Sequence, residues 1–485
     1  MPQDLTTRYE AAQSTLEKVG QSHVLDHYDQ LDETQRDSLL KEVEGIDWPE
    51  VARLIETHVK QKPEFALPRN LEPAPWYPYE APAELQSKYD RAQTLGEELV
   101  QQGKVAAFTV AGGQGTRLGW DGPKGTFPAT PLRGLELFAC FAEYLKKSKD
   151  KWGKAVPWYV MTSPINDAPT RAFFEENGYF GLDQADVMIF PQAMMRAIDM
   201  QTHRVLLESP SSLALSPNGH GGSLKALWTS GAIADMKKRG IEQISYTQVD
   251  NPIVRMIDPR FIGLHALDEA QMSSKMLPKS FPKEKLGNFC LVDGKVTVIE
   301  YSNLPDEFAE QRTDDGELRF RAGSIALHCI RVDFVESINT SPEGFSLPFN
   351  RAEKKVGYYD ADRGETVKPE TPNAVKLETF VFDALPMCEN SIVYETDRID
   401  EFAPIKNADV DGKVETDSPA SSKQIQTERA ARWLESHGVK VARDGEGLGS
   451  VQAKIEIKQT TAIYPEDLKG LDLPSSVDAG SELLL

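Results

Sequence analysis

Cysteine is scarce in this chain, and that scarcity narrows the possibilities at once. Only four occur in 485 residues, Cys140, Cys290, Cys329 and Cys388. Their wide spacing excludes a zinc knuckle or a paired redox motif, leaving scattered buried thiols in a reducing compartment as the expectation. Long apolar runs are missing as well. None approaches the roughly 20 residues that span a bilayer, and the opening MPQDLTTRYEAAQ is too polar for a secretory signal. A cytoplasmic protein with no membrane partner is expected. Positive charge is also in short supply, with 54 Lys and Arg against 75 Asp and Glu and a net charge of −21. That balance argues against nucleic acid as a partner, since phosphate backbones need clustered cations. Nucleotides remain allowed, because a few local cations and backbone N–H groups hold a triphosphate inside an acidic protein.

What is present reads as a globular chain of about three units, at roughly 150 residues each. Hydrophobic residues make up 40% and charged residues 27%, enough for a sizeable core. No internal repeat is found. Residues 1 to about 60 are helical in pattern, with Leu31, Leu39, Leu40 and Val43 at helical spacing. The Pro-rich segment 62–83 excludes a regular helix or a central strand and reads as a surface linker. A helix is predicted from about Glu84 to Gln102. Buried strands are predicted at Val105–Val110, Pro157–Met161, Ala185–Phe190 and Gln243–Val249, with helices between them at Ala168–Asn177 and Ser223–Arg239. Asn166 and Asp167 are candidate caps for the first of these helices, and Asp258-Pro259 opens the helix after the fourth strand. This alternation predicts an α/β layer with a mainly parallel sheet. A hairpin turned at Asp293-Gly294 and a strand at Ala322–Val332 follow. Beyond about residue 410, a helix near Lys423–Ser436 and short β segments predict a small C-terminal unit. The expected boundaries are 1–100, 101–408 and 409–485.

The strongest single feature is Ala111-Gly-Gly-Gln-Gly-Thr-Arg-Leu-Gly119, directly after the first buried strand, with Pro123-Lys124-Gly125 beyond it. Glycines at 112, 113 and 115 let backbone N–H groups approach a ligand. Arg117 and Lys124 add the charge that meets a triphosphate. A tight structural turn carrying two surface cations is the competing reading. Two better-known loops fail on spacing. The dinucleotide fingerprint needs its third glycine one residue before Gly119, and the Walker loop needs Lys after Gly rather than before it.

The loop resembles the G-G-x-G-T-R-L-G…P-K signature of the eukaryotic-type UDP-sugar pyrophosphorylases. Further motifs follow in the order of that family: Asn177-Gly-Tyr-Phe-Gly-Leu182, Ser216-Pro-Asn-Gly-His-Gly-Gly222, Arg239-Gly-Ile241, Val249-Asp-Asn251 and Asp258-Pro-Arg-Phe-Ile-Gly263. Ile299-Glu-Tyr-Ser302, Val375-Lys-Leu-Glu-Thr-Phe-Val-Phe-Asp383 and Glu401-Phe-Ala-Pro-Ile-Lys-Asn-Ala408 complete the series. The resemblance spans roughly residues 90–420 and is closest to the UDP-N-acetylhexosamine pyrophosphorylase branch. It implies a Rossmann-like, GT-A-like nucleotidyltransferase domain with a mixed, mainly parallel sheet, a helical N-terminal region and a small C-terminal α+β domain.

Site residues carry over position by position. Ala111, Gly112, Gly113, Gln192, Gly219, His220 and Lys376 match nucleotide-contacting positions, and Gly287, Glu300 and Ser324 match sugar-contacting ones. Asp250 matches the Mg²⁺-binding aspartate. One carboxylate plus phosphate oxygens suits that ion, although an aspartate at a strand end reads equally as a helix cap. Gln192 alone would be a surface glutamine, and its amide has the donor and acceptor pair to meet uracil. Glu300 alone would be a solvated carboxylate on a hairpin strand. Lys376 and Lys406 alone would be solvated lysines; in the family they contact phosphate. Two positions depart from the acetylhexosamine branch. His220 stands where asparagine is usual, and Ser324 shortens the sugar-contacting asparagine to a hydroxyl, which changes what the pocket can hydrogen-bond.

The implied reaction is attack by a sugar 1-phosphate oxygen on the α-phosphorus of UTP, with release of pyrophosphate. N-acetylglucosamine 1-phosphate is the first expectation for the acceptor, and glucose or a broader sugar range is the alternative. The nucleophile is already ionised, so the protein has to supply in-line positioning and charge neutralisation rather than a base. The expected catalytic cations are Arg117, Lys124 and Lys406, with Mg²⁺ on Asp250. A non-catalytic sugar-nucleotide-binding protein is the reading from another class, and a monomer or homodimer is expected.

Overall fold

The computed structural model describes residues 4–62, 65–342 and 347–485. Two compact units emerge, each assembled from separated stretches of chain. Met1–Ala66, Ala193–Gly222 and Ser346–Val381 make one, and Leu67–Gln192, Ser223–Phe345 and Phe382–Leu485 make the other. The units therefore cut the chain elsewhere than at residues 100 and 408.

The larger unit is built on a ten-stranded mixed sheet. Gln243–Gln248, Val105–Val110, Trp158–Thr162 and Val187–Pro191 run parallel in that order, and Ala322–Arg331 pairs antiparallel to the first of them. Val105–Val110 and Trp158–Thr162 are buried at every position. That is why they read as unbroken apolar runs rather than as alternating ones. Inside the sheet the few polar groups find one another. The Trp158 indole N–H donates to the Thr109 hydroxyl at 2.9 Å, and Thr109 and Thr247 hydroxyls lie 3.2 Å apart.

On one side, helices Gln86–Gln101 and Pro259–Leu267 meet at two reciprocal glycines. A Cβ on Gly96 would stand 1.8 Å from the Pro259 carbonyl oxygen, and one on Gly263 would stand 1.8 Å from that of Ala92. The two backbones touch, and only glycine permits it. Asp258 caps the second helix through the Phe261 N–H at 3.4 Å, with Pro259 at its first position.

Three elements differ from the sequence expectation. The helix predicted over 223–239 is two helices, Gly222–Thr229 and Ala232–Arg239, because Gly231 takes a left-handed φ of 83° and breaks the ladder. The Pro-rich segment is more than a linker. Leu71–Pro73 adds an edge strand against Gly287–Val292, a place where proline's missing donor is tolerated. The C-terminal helix starts at Pro419, where Ser418 and Ser421 form a capping box. The other strands, the hairpin at Asp293-Gly294 (φ 49° and 77°) and the Gly240 helix stop agree with expectation.

The C-terminal segment packs Trp433, Leu434, Ile455 and Leu468 into a small core of its own. It is tied into the same unit by a buried carboxylate. Glu456 accepts from the backbone N–H groups of Leu132 and Arg133 at 2.8 and 2.9 Å and from Arg133 Nε at 2.5 Å. In the smaller unit, helices Leu5–Lys18, Glu33–Glu44 and Trp48–Leu54 share a core with the three-stranded sheet of Asn350–Lys354, Ala374–Glu378 and Ile198–Asp199. All four cysteines are buried and unpaired, as expected. No helix of the described residues is long and apolar enough to cross a membrane.

Candidate active site

The parallel register decides which residues meet. Val110 pairs with Gln248 and with Met161, and Thr162 pairs with Pro191. The next residues along these strands are Ala111, Val249-Asp250 and Gln192. All of them emerge at the carboxyl edge of the sheet, where open α/β sheets bind ligands. Because Ala322–Arg331 runs antiparallel, its opening residues Gly323 and Ser324 arrive at the same edge.

The signature loop is held in shape by backbone bonds. Gly115 N–H donates to Gly122 O at 3.0 Å and Lys124 N–H to Gly113 O at 3.1 Å, which pins Lys124 beside the loop. Among the described residues, the amides of Gly112 and Gly113 donate to no protein acceptor, and Gly113 is exposed with open space at its Cα. Three nearby glycines serve packing. A Cβ at Gly112 would lie 2.9 Å from Gln192 Nε2, one at Gly115 would lie 2.6 Å from Trp120, and one at Gly125 would lie 2.0 Å from the Phe138 ring.

Asn166, expected as a helix cap, does something else. Its Nδ2 donates to the carbonyls of Ala111 and Gly113 at 2.9 and 3.2 Å, fastening the loop from below.

Lys124 reaches the Asp250 carboxylate at 3.8 Å, and both side chains are largely buried. Burial pushes the Lys124 ammonium down from its ordinary range, Asp250 opposes that shift, and the charges of Lys406 and Arg117 reinforce it. Arg117 is exposed on the short helical turn Thr116–Leu118. These four residues, three of them cations, form one electrostatic cluster. Together with Asp417, which also acts on Lys124, the cluster sets three positive groups against two carboxylates and keeps a positive excess, the local field an anionic substrate requires even though the whole chain is acidic. Asp250 caps no helix.

Asp417 joins this cluster, and the sequence offered no signal for it. Its carboxylate is 3.7 Å from Lys406 Nζ, and its carbonyl accepts from the backbone N–H groups of Lys406 and Asn407 at 2.6 and 3.0 Å. Burial raises its carboxyl above the usual range, Lys406 works against that and Asp250 adds to it. Asn251, quoted above only as part of a motif, is likewise buried beneath the cluster.

Gln192 is a buried residue, 4% exposed, not the surface glutamine that its type alone suggests, and among the described residues its Oε1 has no protein partner. A buried orphan acceptor is costly unless a ligand or water supplies the missing donor. Gly287, Glu300 and Ser324 also converge. Gly287 pairs with Ser324, and a Cβ on Gly287 would lie 3.4 Å from Glu300 Oε1 and 3.8 Å from Ser324 Cβ. Glu300 sits one residue past the strand Lys295–Ile299 rather than on it, and burial raises its carboxyl.

Gly219, His220 and Lys376 lie in the smaller unit. Gly219, with φ 61°, packs so closely on the chain that an added Cβ would be 2.5 Å from Thr379 O. His220 stacks on Phe380 at 5.2 Å and its Nδ1 accepts the Val381 N–H at 3.1 Å. That bond leaves the proton on Nε2, and burial lowers the imidazole to about 4. Lys376 lies on the strand that leads into this segment and is half-buried, which lowers its ammonium.

Residues 71–414 match the family described as UTP–glucose-1-phosphate uridylyltransferase. The chain is 33% identical to the UDP-N-acetylhexosamine pyrophosphorylase-like protein 1 of Xenopus tropicalis, over 95% of this chain and 93% of that one. It is 32% identical to the UDP-N-acetylglucosamine pyrophosphorylase of Saccharomyces cerevisiae, over 88% and 91% of the two chains. Among solved structures, the UDP-N-acetylglucosamine pyrophosphorylase of Trypanosoma brucei superposes with a TM-score of 0.80 at 25% identity, covering 100% of this chain and 99% of its own. With residues 71–414 matching the family and relatives above 30% identity along most of its length, this chain belongs to the UTP–glucose-1-phosphate uridylyltransferase family.

Proposed function

We propose that this protein joins UTP and N-acetylglucosamine 1-phosphate into UDP-N-acetylglucosamine, releasing pyrophosphate. The observation that carries the reading is the cluster of Lys124, Arg117 and Lys406 around Asp250 at the carboxyl edge of the sheet. Family relatives named for the same chemistry support it.

In this reading the free amides of Gly112 and Gly113 face the nucleotide, and Gln192 Oε1 accepts from the uracil ring N–H, which removes its orphan status. His220, which burial keeps neutral at physiological pH, takes no part in proton transfer. Lys124 and Arg117 neutralise the triphosphate, so that charge moving toward the leaving pyrophosphate is met by cations already in place. Lys406 holds the incoming phosphate for in-line attack. Glu300, Gly287 and Ser324 receive the sugar.

Asp250 is the residue that would hold Mg²⁺. The donor set fits that ion: the Asp250 carboxylate stands beside the cations proposed to hold the phosphates, and Mg²⁺ commonly takes one or two carboxylates plus phosphate oxygens and water. Bound there, it would add charge neutralisation at the phosphates.

The test is pyrophosphate release from UTP and Mg²⁺ with N-acetylglucosamine, N-acetylgalactosamine, glucose and galactose 1-phosphates. Highest kcat/KM with N-acetylglucosamine 1-phosphate is the expected result. A preference for glucose 1-phosphate would overturn the sugar assignment, and UTP binding without turnover on any sugar would overturn the reaction.

A further inference from the structure

Two charged groups of the proposed reaction, Asp250 and Lys406, lie 156 positions apart in the chain, yet they belong to one electrostatic cluster. Something has to hold their two segments in step. The Ile405 N–H donates to the Asp250 carbonyl at 2.8 Å. Beside it, the Asn251 carboxamide spans the gap with both of its ends. Nδ2 donates to the Glu401 carbonyl at 2.6 Å and Oδ1 accepts the Ala403 N–H at 3.1 Å. Asn251 is 3% exposed.

The segment it grips is fixed from behind as well. Glu401 is fully buried, and its carboxylate receives Lys275 Nζ at 2.6 and 2.7 Å and the Thr396 hydroxyl at 2.5 Å. Lys275 also meets Asp258 at 2.6 Å. The Ser422 hydroxyl closes the far side by donating to the Ala403 carbonyl at 2.7 Å. Past Ile405 the chain turns onto Asp417, whose carbonyl accepts the Lys406 N–H at 2.6 Å, so Lys406 is the first residue beyond the clamp.

We infer that Asn251 is a positioning residue whose carboxamide sets the register of Lys406 against Asp250; the inference rests on the reaction proposed above. A carboxamide is the side chain suited to this place. It provides one donor and one acceptor to a backbone carbonyl and a backbone N–H two residues apart. An aspartate of the same shape would oppose its oxygen to the Glu401 carbonyl, and an alanine would release both strands of the clamp. Catalysis by positioning is sensitive to such slips, since displacement by about 1 Å costs on the order of a hundredfold in rate.

The experiment is a double-mutant cycle of Asn251→Ala and Lys406→Ala in the full chain, reading kcat and the KM values for UTP and sugar 1-phosphate. N251A is expected to lower kcat about a hundredfold while leaving the KM for UTP within about twofold. Adding N251A to K406A should then change kcat by no more than about twofold, because the residue acts through the lysine. A second full loss in the K406A background, or an N251A kcat within about twofold of wild type, would overturn the inference. If N251A does not fold, Ser422→Ala, which loosens the same segment from the other side, replaces it in the cycle with the same two outcomes. The two failures separate cleanly. A wild-type protein that releases no pyrophosphate overturns the function and this inference together, whereas an active wild type with multiplying effects overturns this inference alone.

Discussion

Lys124 and Asp250 face each other across 3.8 Å at the carboxyl edge of the central sheet, each largely buried. The lysine comes from the loop after one strand and the aspartate from the turn after its parallel neighbour. At that distance the two charges attract, but the contact is longer than a direct hydrogen bond, so neither group is committed to the other.

Replacing Lys124 with alanine should lower kcat by about 10² to 10³, the scale of losing one charge-stabilising donor in the transition state. Thermal melting should show Tm within a few degrees of wild type, because burial already penalises this ammonium. An unchanged kcat would remove Lys124 from the catalytic set.

Asp250→Asn keeps the shape and removes the charge. The Mg²⁺ concentration for half-maximal activity should rise by about tenfold or more, since even losing an outer-shell partner of a metal ligand costs about 10- to 100-fold. A metal titration at fixed UTP measures it. A variant with wild-type Mg²⁺ dependence would move the metal elsewhere.

Glu300 has a carboxyl raised by burial, so as pH falls it protonates earlier than an ordinary carboxylate. Protonation removes an acceptor from the sugar pocket. The KM for sugar 1-phosphate should therefore rise on going from neutral to acid pH, and in Glu300→Gln it should start higher and lose that component of its pH dependence. Steady-state kinetics across pH, with the KM for UTP as internal control, decide this.

Gly96→Ala tests the helix contact far from the chemistry. With its Cβ 1.8 Å from the Pro259 carbonyl oxygen, the helices have to separate, at about 3 kcal/mol or more, the upper range for overpacking. Denaturant unfolding should show the loss, while kcat per folded molecule stays near wild type.

Much of the site was legible in the linear sequence because its determinants are local. The glycine loop after Val105–Val110 and the lysine nine residues beyond Gly115 announce themselves by strand, turn and residue type within a short window, whereas the aspartate after Gln243–Gln248, equally readable as a helix cap, was singled out by the family pattern. Gly287, Glu300 and Ser324 were expected on the sugar from the family pattern alone, and they do meet one another. The helix predicted over 223–239 failed because one glycine's φ outweighed an otherwise continuous helical pattern.

By itself, the order of residues determined the α/β alternation, the parallel core strands, the phosphate-type loop and the family. Those follow from hydrophobic period and turn chemistry, which act over a few residues. Only the tertiary structure decided that Asp417 stands beside Lys406, that Asn166 fastens the signature loop, that Gln192 is buried with an orphan oxygen, and that Asn251 joins Asp250 to the 401–405 segment. In each case the deciding term is a hydrogen bond or charge contact between distant segments, or the burial that their packing imposes. Such terms are set by sheet register and chain crossing, for which a polar residue in a linear sequence carries no mark.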